Sequence, residues 1–284
     1  MSEHGEPFPF CDFALARRIE RAEAESNVAF VEARARLFPH VGAQWVEVGG
    51  TYALFDGVDS PLTQTFGLGL FQPPTPTDLD RIETFFRDIG APVFHEISPL
   101  ADPAHLGLLA GRGYHPIELT TILVRLLRGG PIGLPAPGDI RVRVAGPEEW
   151  GVWAQTAARG WSEVAEVAPA MLDLARVSAH RPRGPSFLAE LDGRPVATGA
   201  MAMYAGVAVL AGASTIPEAR RRGAQLALLD ARLRYALDHG CDLAVMGAQP
   251  GTGSQRNAER QGFRVAYTRI KWRLSDVARN DPGT

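Results

Sequence analysis

Seven of the twelve residues from Arg128 to Asp139 (RGGPIGLPAPGD) are glycine or proline. Glycine is costly to order and proline removes a backbone donor, so this run suits neither a helix nor a sheet interior. It divides the 284-residue chain into residues 1–127, a linker at 128–139 and residues 140–284. Each half has the size of an ordinary domain.

The two halves then resemble each other. The first closes on GRGYHPIELTTILVRLL (Gly111–Leu127) and the second on RQGFRVAYTRIKWRL (Arg260–Leu274). Both read as the end of a helix, a glycine-aromatic step and a strand of about ten residues. Earlier, TYALFDG (Thr51–Gly57) parallels FLAELDG (Phe187–Gly193), each a strand entering an Asp-Gly turn. Helical regions open the halves at Phe13–Phe38 and Pro147–His180, and others precede the final strands at Thr77–Ile89 and Glu218–His239. The expected class is α+β (α/β mixed), with two units of related topology.

Charge separates the halves. Residues 1–130 hold 17 acidic and 10 basic side chains, whereas residues 131–284 hold 15 and 19. An anionic ligand is therefore expected in the second half. Lys271 is the one lysine among the 29 basic residues; the arginines offer a planar donor fork suited to phosphate and carboxylate.

At 45% hydrophobic and 21% charged, the chain is no disordered protein. Two cysteines, Cys11 and Cys241, make neither a disulfide scaffold nor a four-cysteine zinc site. The histidines are scattered, so no metal is expected. No basic-aromatic patch points to nucleic acid. Met1–Asp12 is polar and unlike a secretory leader, so a cytoplasmic location is expected. The 23 uncharged residues Pro195–Pro217 have the length of a membrane span. They include Gly199, Gly206 and Gly212 and follow Asp192-Gly193, so they read as two strands around Tyr204-Ala205-Gly206 instead.

In the second half, Leu226, Leu229, Leu233 and Leu237 recur at helical spacing and Gly240 follows as a C-cap. Val207–Ile216 before this helix and Cys241–Ala248 after it read as strands. Between the first strand and the helix stands Arg220-Arg221-Arg222-Gly223. A helix N-terminus presents free N–H groups and partial positive charge, glycine lets an anion approach the backbone, and arginine adds charge-assisted bonds. A diphosphate fits this arrangement.

The string PEARRRGAQLALL resembles the acyl-CoA signature of the GNAT superfamily of N-acetyltransferases. QRNAERQGFRVAY resembles that family's last helix, Gly-Phe turn and closing strand, and FLAELDGRPVATGAM its second and third strands. The resemblance covers Ile140–Leu274 almost wholly and residues 1–127 only as a degenerate copy. It implies two GNAT-like domains, each a mixed, mainly antiparallel sheet with splayed central strands flanked by helices. It also implies an acetyl-CoA co-substrate without metal, a small-molecule or peptide amine acceptor, no membrane or nucleic-acid partner, and a monomer or homodimer.

By the same resemblance, the N–H groups from Arg221 through Arg222, Gly223, Ala224 and Gln225 to Leu226 hold the pyrophosphate, with Arg220 and Gly223 matching the signature. Gln225 stands where the family has Gly or Ala, so its side chain must turn away. Ser214, Thr215 and Ile216 would pair with the pantetheine arm, and Ser254 and Asn257 could bond the arm or the adenylate. Ala258 occupies the position where many members carry a tyrosine acid. Tyr267 is a replacement candidate, and Glu163 and Glu166, near Trp161, are candidate bases. The first half has Pro73-Pro74-Thr75-Pro76-Thr77-Asp78 at the signature position, so it is expected to bind no CoA.

An acetyltransferase is thus the leading reading. A non-catalytic CoA-binding or sensing module is the alternative, followed by an aminoacyl-tRNA-dependent transferase of the tandem type.

Overall fold

The computed structural model describes residues 9–128, 139–161 and 168–275. The first half runs α1 (Phe13–Leu37), β1 (Gln44–Val48), β2 (Thr51–Phe55), β3 (Gln64–Phe66), α2 (Pro76–Asp88), β4 (Phe94–Ile97), α3 (Ala104–Gly111) and β5 (Tyr114–Leu126). The second runs β6 (Ile140–Val144), α4 (Trp150–Gly160), α5 (Ala168–Ala179), β7 (Ser186–Leu191), β8 (Arg194–Tyr204), β9 (Val207–Thr215), α6 (Ala224–Asp238), β10 (Leu243–Ala248), α7 (Gly253–Arg260) and β11 (Arg264–Leu274).

The two expected sheets merge by exchanging their last strands. Among the described residues they make one eleven-stranded sheet in the order β1-β2-β3-β4-β11-β5-β10-β9-β8-β7-β6. β11, from the second half, lies between β4 and β5 of the first. β5 in turn pairs with β10 of the second half. The break at 128–139 is therefore a feature of the chain and not of the sheet. Two pairings are parallel, β3 with β4 and β9 with β10, one in each half. Pro116 falls in β5 beside a register shift between Lys271 and Trp272, the kind of irregular site a strand proline needs.

Side-chain alternation separates the two faces. Val207 and Val209 of β9 pack with Ala16 and Ile19 of α1. Ala208 and Leu210 of the same strand pack with Leu228 and Leu233 of α6. Leu188 and Ala200 meet α4 through Trp153. α1 is a 25-residue helix capped by Asp12, whose carboxylate accepts from the Leu15 N–H at 2.9 Å. It crosses from one half to the other. Its Glu20 accepts from Arg269 of β11 at 2.7 Å and from Tyr267 at 2.8 Å, all three buried.

Several expectations meet the structure differently. Asp192-Gly193 forms the β7–β8 turn with φ of 52° and 73°, as a type I′ hairpin requires. Ala205-Gly206 turns β8 into β9 in the same way. Asp56-Gly57 makes no such hairpin. Asp56 is buried and accepts from Arg34 at 3.0 and 3.1 Å, so the chain loops through Ser60 and Thr63 before β3 begins. The helix expected from Glu218 begins only at Ala224, because Arg221 and Gly223 are left-handed. Its buried apolar face is Ala224, Ala227, Leu228, Leu229, Leu233 and Ala236, so Leu229 and Leu233 of the expected face are buried while Leu237 is exposed. No helix among the described residues is long and apolar enough to cross a membrane.

Candidate functional site

β9 and β10 are paired for three residues, from Leu243–Val207 to Val245–Val209. Beyond that point both strands continue, β9 to Thr215 and β10 to Ala248, but they separate. β10 stays bound to β5 as far as the Ala248–Thr121 pair. The result is a cleft of about 1070 Å³ within the sheet, entered between α4 and the turn before α6.

The separation leaves Ala211, Gly212 and Ala213 exposed on an interior strand. A register shift opposite Thr198 and Ala200 bulges β9 there, and Gly212 takes φ of 61°. A bulge frees backbone groups from the ladder and re-aims them. Ile216 donates its N–H to the Val196 carbonyl at 3.0 Å. By strand alternation, Thr215 and Ala213 therefore turn their backbone groups away from β8, toward the cleft.

The turn at the mouth follows from its residues. Pro217–Ala219 forms a short 3-10 turn, Arg220 is extended, Arg221 is left-handed at φ 62°, and Gly223 is the N-cap of α6 at φ 87°. No side chain caps α6. Its first turn therefore lacks the usual partner for the N–H groups that a helix start leaves open. Arg220 donates from Nη2 to the Gly160 carbonyl at 3.0 Å, tying α4 to this turn. Arg222 lies 3.9 Å from Asp139, away from the cleft lining.

Most of the residues read from the signature meet at the cleft. Ser214, Thr215, Arg220, Arg221, Gly223, Ala224, Gln225 and Leu226 line it from one side, and Ser254 and Asn257 from α7. Gln225 folds back onto β9. Its Nε2 donates to the Ser214 carbonyl at 2.9 Å and the Thr215 hydroxyl at 2.7 Å, so the longer side chain clasps the strand. The Ser214 hydroxyl donates to the Ala157 carbonyl at 3.0 Å and meets the Thr198 hydroxyl at 3.0 Å. Ile216 is buried in the core with its N–H engaged, so it faces away from the cleft.

Tyr267 is a correction. It does not line the cleft but packs against α1, where its hydroxyl donates to Glu20. Burial and the Glu20 charge push its ionisation well above the ordinary tyrosine range. Glu163 and Glu166 lie outside the described residues; Trp161, just before them, lines the cleft. Among the described lining residues there is no carboxylate, and four are arginines: Arg220, Arg221, Arg232 and Arg260.

Two contributors carry no motif. Gly160 ends α4 so close to β9 that a Cβ would fall 2.5 Å from the Ser214 hydroxyl and 3.0 Å from the Thr215 nitrogen. Arg232 reaches the cleft from inside α6. The arginine is hidden from pattern reading because it occupies an otherwise apolar helix face.

The first half closes at the equivalent place. After the Phe66–Glu96 pair, the chain turns inward and buries Leu68 and Leu70. The Gly69 carbonyl accepts from Asp102 N–H at 2.8 Å, and the Leu70 carbonyl from Arg17 Nε at 2.8 Å. α2 starts with its own anion. Thr75 accepts from the Asp78 N–H, and the Asp78 carboxylate accepts from the Thr75 N–H. This capping box satisfies donors that α6 leaves open.

A family model for the acetyltransferase (GNAT) family matches residues 150–263. No curated protein matches the chain. Among solved structures, a GCN5-related N-acetyltransferase from Kribbella flavida is 20% identical, with TM-score 0.67 over 92% of this chain and 96% of that one. A tandem GNAT protein from the clavulanic acid biosynthesis pathway is 16% identical, with TM-score 0.58 over 93% and 95%. A GCN5-related N-acetyltransferase from Sphaerobacter thermophilus is 18% identical, with TM-score 0.54 over 92% and 93%. These likenesses run the length of both halves and show a shared fold, and within it residues 150–263 match the model of the acetyltransferase (GNAT) family.

Proposed function

We propose that the second half binds a coenzyme A thioester, acetyl-CoA in the family's own chemistry, and transfers its acyl group to a primary amine. The observation that carries this reading is the cleft between β9 and β10. It is free of carboxylates among the described lining residues and ends at the uncapped start of α6 beside Arg220 and Arg221. An extended arm can lie between the parted strands and use the backbone groups they no longer share. A diphosphate at the α6 N-terminus meets N–H donors and positive charge.

In this reading a neutral amine attacks the thioester carbonyl directly. The carbonyl oxygen becomes an oxyanion, and a cleft-facing N–H on the bulged stretch of β9 is suited to receive it. The attacking nitrogen releases its extra proton to a base or water, the tetrahedral intermediate collapses, the carbon–sulfur bond breaks, and CoA leaves as thiolate, which is then protonated. Holding both reactants supplies much of the rate. Glu163 and Glu166 remain the proposed bases that keep the amine neutral. With Tyr267 committed to Glu20, water is the proton source we assign to the thiolate. The first half, with its buried Leu68 and Leu70 and self-capped α2, is proposed to bind no CoA and to serve as a wall.

Calorimetric titration with CoA and acetyl-CoA tests the donor site. One site per chain is expected, weakened in Arg220→Ala and Gly223→Asp. Unchanged affinity in both variants would remove the assignment. A non-catalytic CoA-binding module is the second reading, favoured by Ala258 and by the lack of an ionisable acid or base other than arginine among the described lining residues. Tight CoA binding without release of free thiol across an amine panel would select it.

A further inference from the structure

Arg232 is a buried cation with no anion. It is 4% exposed, yet none of the described residues offers it a carboxylate within ion-pair distance. Its Nε donates to the Leu228 carbonyl at 3.2 Å, and its Nη1 to the carbonyls of Ala200 at 3.2 Å and Ala211 at 3.4 Å. Nη2 makes no hydrogen bond among the described residues. Burial lowers the guanidinium only to about 10, so it is charged at neutral pH. Leaving a charge buried without a partner costs several kcal/mol in general.

The surroundings differ from those of the other buried arginines. Arg34 has Asp56, and Arg269 has Glu20 and Glu23. Arg181 also lacks a carboxylate, but its unpartnered Nε and Nη2 are sealed inside the protein. Arg232 lines the cleft. The chain also makes room for it: a Cβ on Gly199 would sit 3.1 Å from its guanidinium carbon.

The cleft residues around it are small or apolar. The strands facing each other there contribute Ala211, Gly212 and Gly247, while Leu229 and Met246 add apolar wall. An apolar passage ending in a guanidinium with two open N–H groups suits a short chain that ends in a carboxylate.

We propose that the donor acyl group carries a terminal carboxylate, as in the half-thioester of a short dicarboxylic acid, and that Arg232 receives it. This rests on the CoA reading of the cleft and narrows the acyl group within it.

The test is calorimetric titration of the full chain with CoA, butyryl-CoA and succinyl-CoA, the last two having acyl chains of equal carbon count. Succinyl-CoA is expected to bind at least tenfold more tightly than butyryl-CoA. In Arg232→Gln the two should agree within threefold. Gly199→Ala, which crowds the guanidinium while keeping its charge, should lose the preference as well. Equal binding of the two thioesters to the unaltered chain would overturn the proposal and leave the donor site standing. So would a preference that survives in Arg232→Gln. If CoA itself fails to bind, both the donor reading and this proposal fall. The comparison on the unaltered chain decides the matter even where a variant does not fold.

Discussion

Gly160 is the most exposed to test of the residues that shape the cleft. In Gly160→Ala the new methyl would lie 2.5 Å from the Ser214 hydroxyl oxygen, 2.6 Å from its Cβ and 3.0 Å from the Thr215 nitrogen. The nitrogen belongs to the backbone of β9, so no side-chain rotation removes the clash. The end of α4 and β9 must move apart by close to 1 Å, and overpacking of this kind costs about 1–3 kcal/mol. The same shift strains two bonds between these elements, Arg220 to the Gly160 carbonyl and Ser214 to the Ala157 carbonyl, both 3.0 Å. Weakening them adds about 1 kcal/mol. The total is about 2–4 kcal/mol, which lowers the melting temperature by roughly 3–7 °C in a chain of this size. Arg220 also loses its anchor, so CoA affinity should fall together with stability. Differential scanning fluorimetry with and without CoA measures both. A melting temperature within 2 °C of the parent and an unchanged CoA-induced shift would refute the reasoning.

Other outcomes follow from individual sites. Gly223→Asp puts a negative charge at the open start of α6 and should weaken CoA about tenfold, roughly 1.4 kcal/mol. Gly223→Ala keeps only the strain of φ 87° and should weaken it less, as titration of the two side by side will register. Tyr267→Phe removes the 2.8 Å bond to Glu20 and should cost about 1–3 kcal/mol in urea unfolding while CoA binding is preserved. His95 is buried with Nδ1 against the Thr65 hydroxyl at 2.7 Å, and burial, with a smaller push from His105, lowers it to about 3. Its folded value lies below its unfolded one, so its contribution is complete above about pH 6.5. It is lost as pH falls toward 3, at up to about 1.4 kcal/mol per unit. His95→Gln should flatten that acid limb, and an unaltered slope in unfolding measured from pH 7 to 4 would count against the assignment.

The sequence carried the local elements well where period and turn chemistry agreed. The β7–β8 and β8–β9 hairpins are legible because Asp192-Gly193 and Ala205-Gly206 supply left-handed positions next to alternating strands. The turn before α6 is legible because three arginines and a glycine interrupt the pattern between a strand and an apolar helix face. Asp56-Gly57 misleads for a reason outside the pattern. The local dipeptide favours a turn, and a buried arginine 22 positions away takes its carboxylate. Tyr267 misleads in the same way, since Glu20 lies 247 positions away. Arg232 and Gly160 are invisible to motif reading because their roles arise only once α6 and α4 pack on β9. The joining of the sheets is invisible too, because β4, β5 and β11 are each compatible with several neighbours.

The placement of β11 has a consequence for how the chain is made. Ribosomes deliver β1 to β5 first and β11 after every other described strand, yet β11 fills the centre of the sheet, bonded to β4 on one side and β5 on the other. Until it emerges, β4 and β5 of the nascent first half each keep an unsatisfied edge, and α1 keeps Glu20 and Glu23 without Arg269. The first half thus waits, with open edges that invite pairing with other chains, for the last strand of the second. Both halves of the sheet are therefore complete only once β11 is in place.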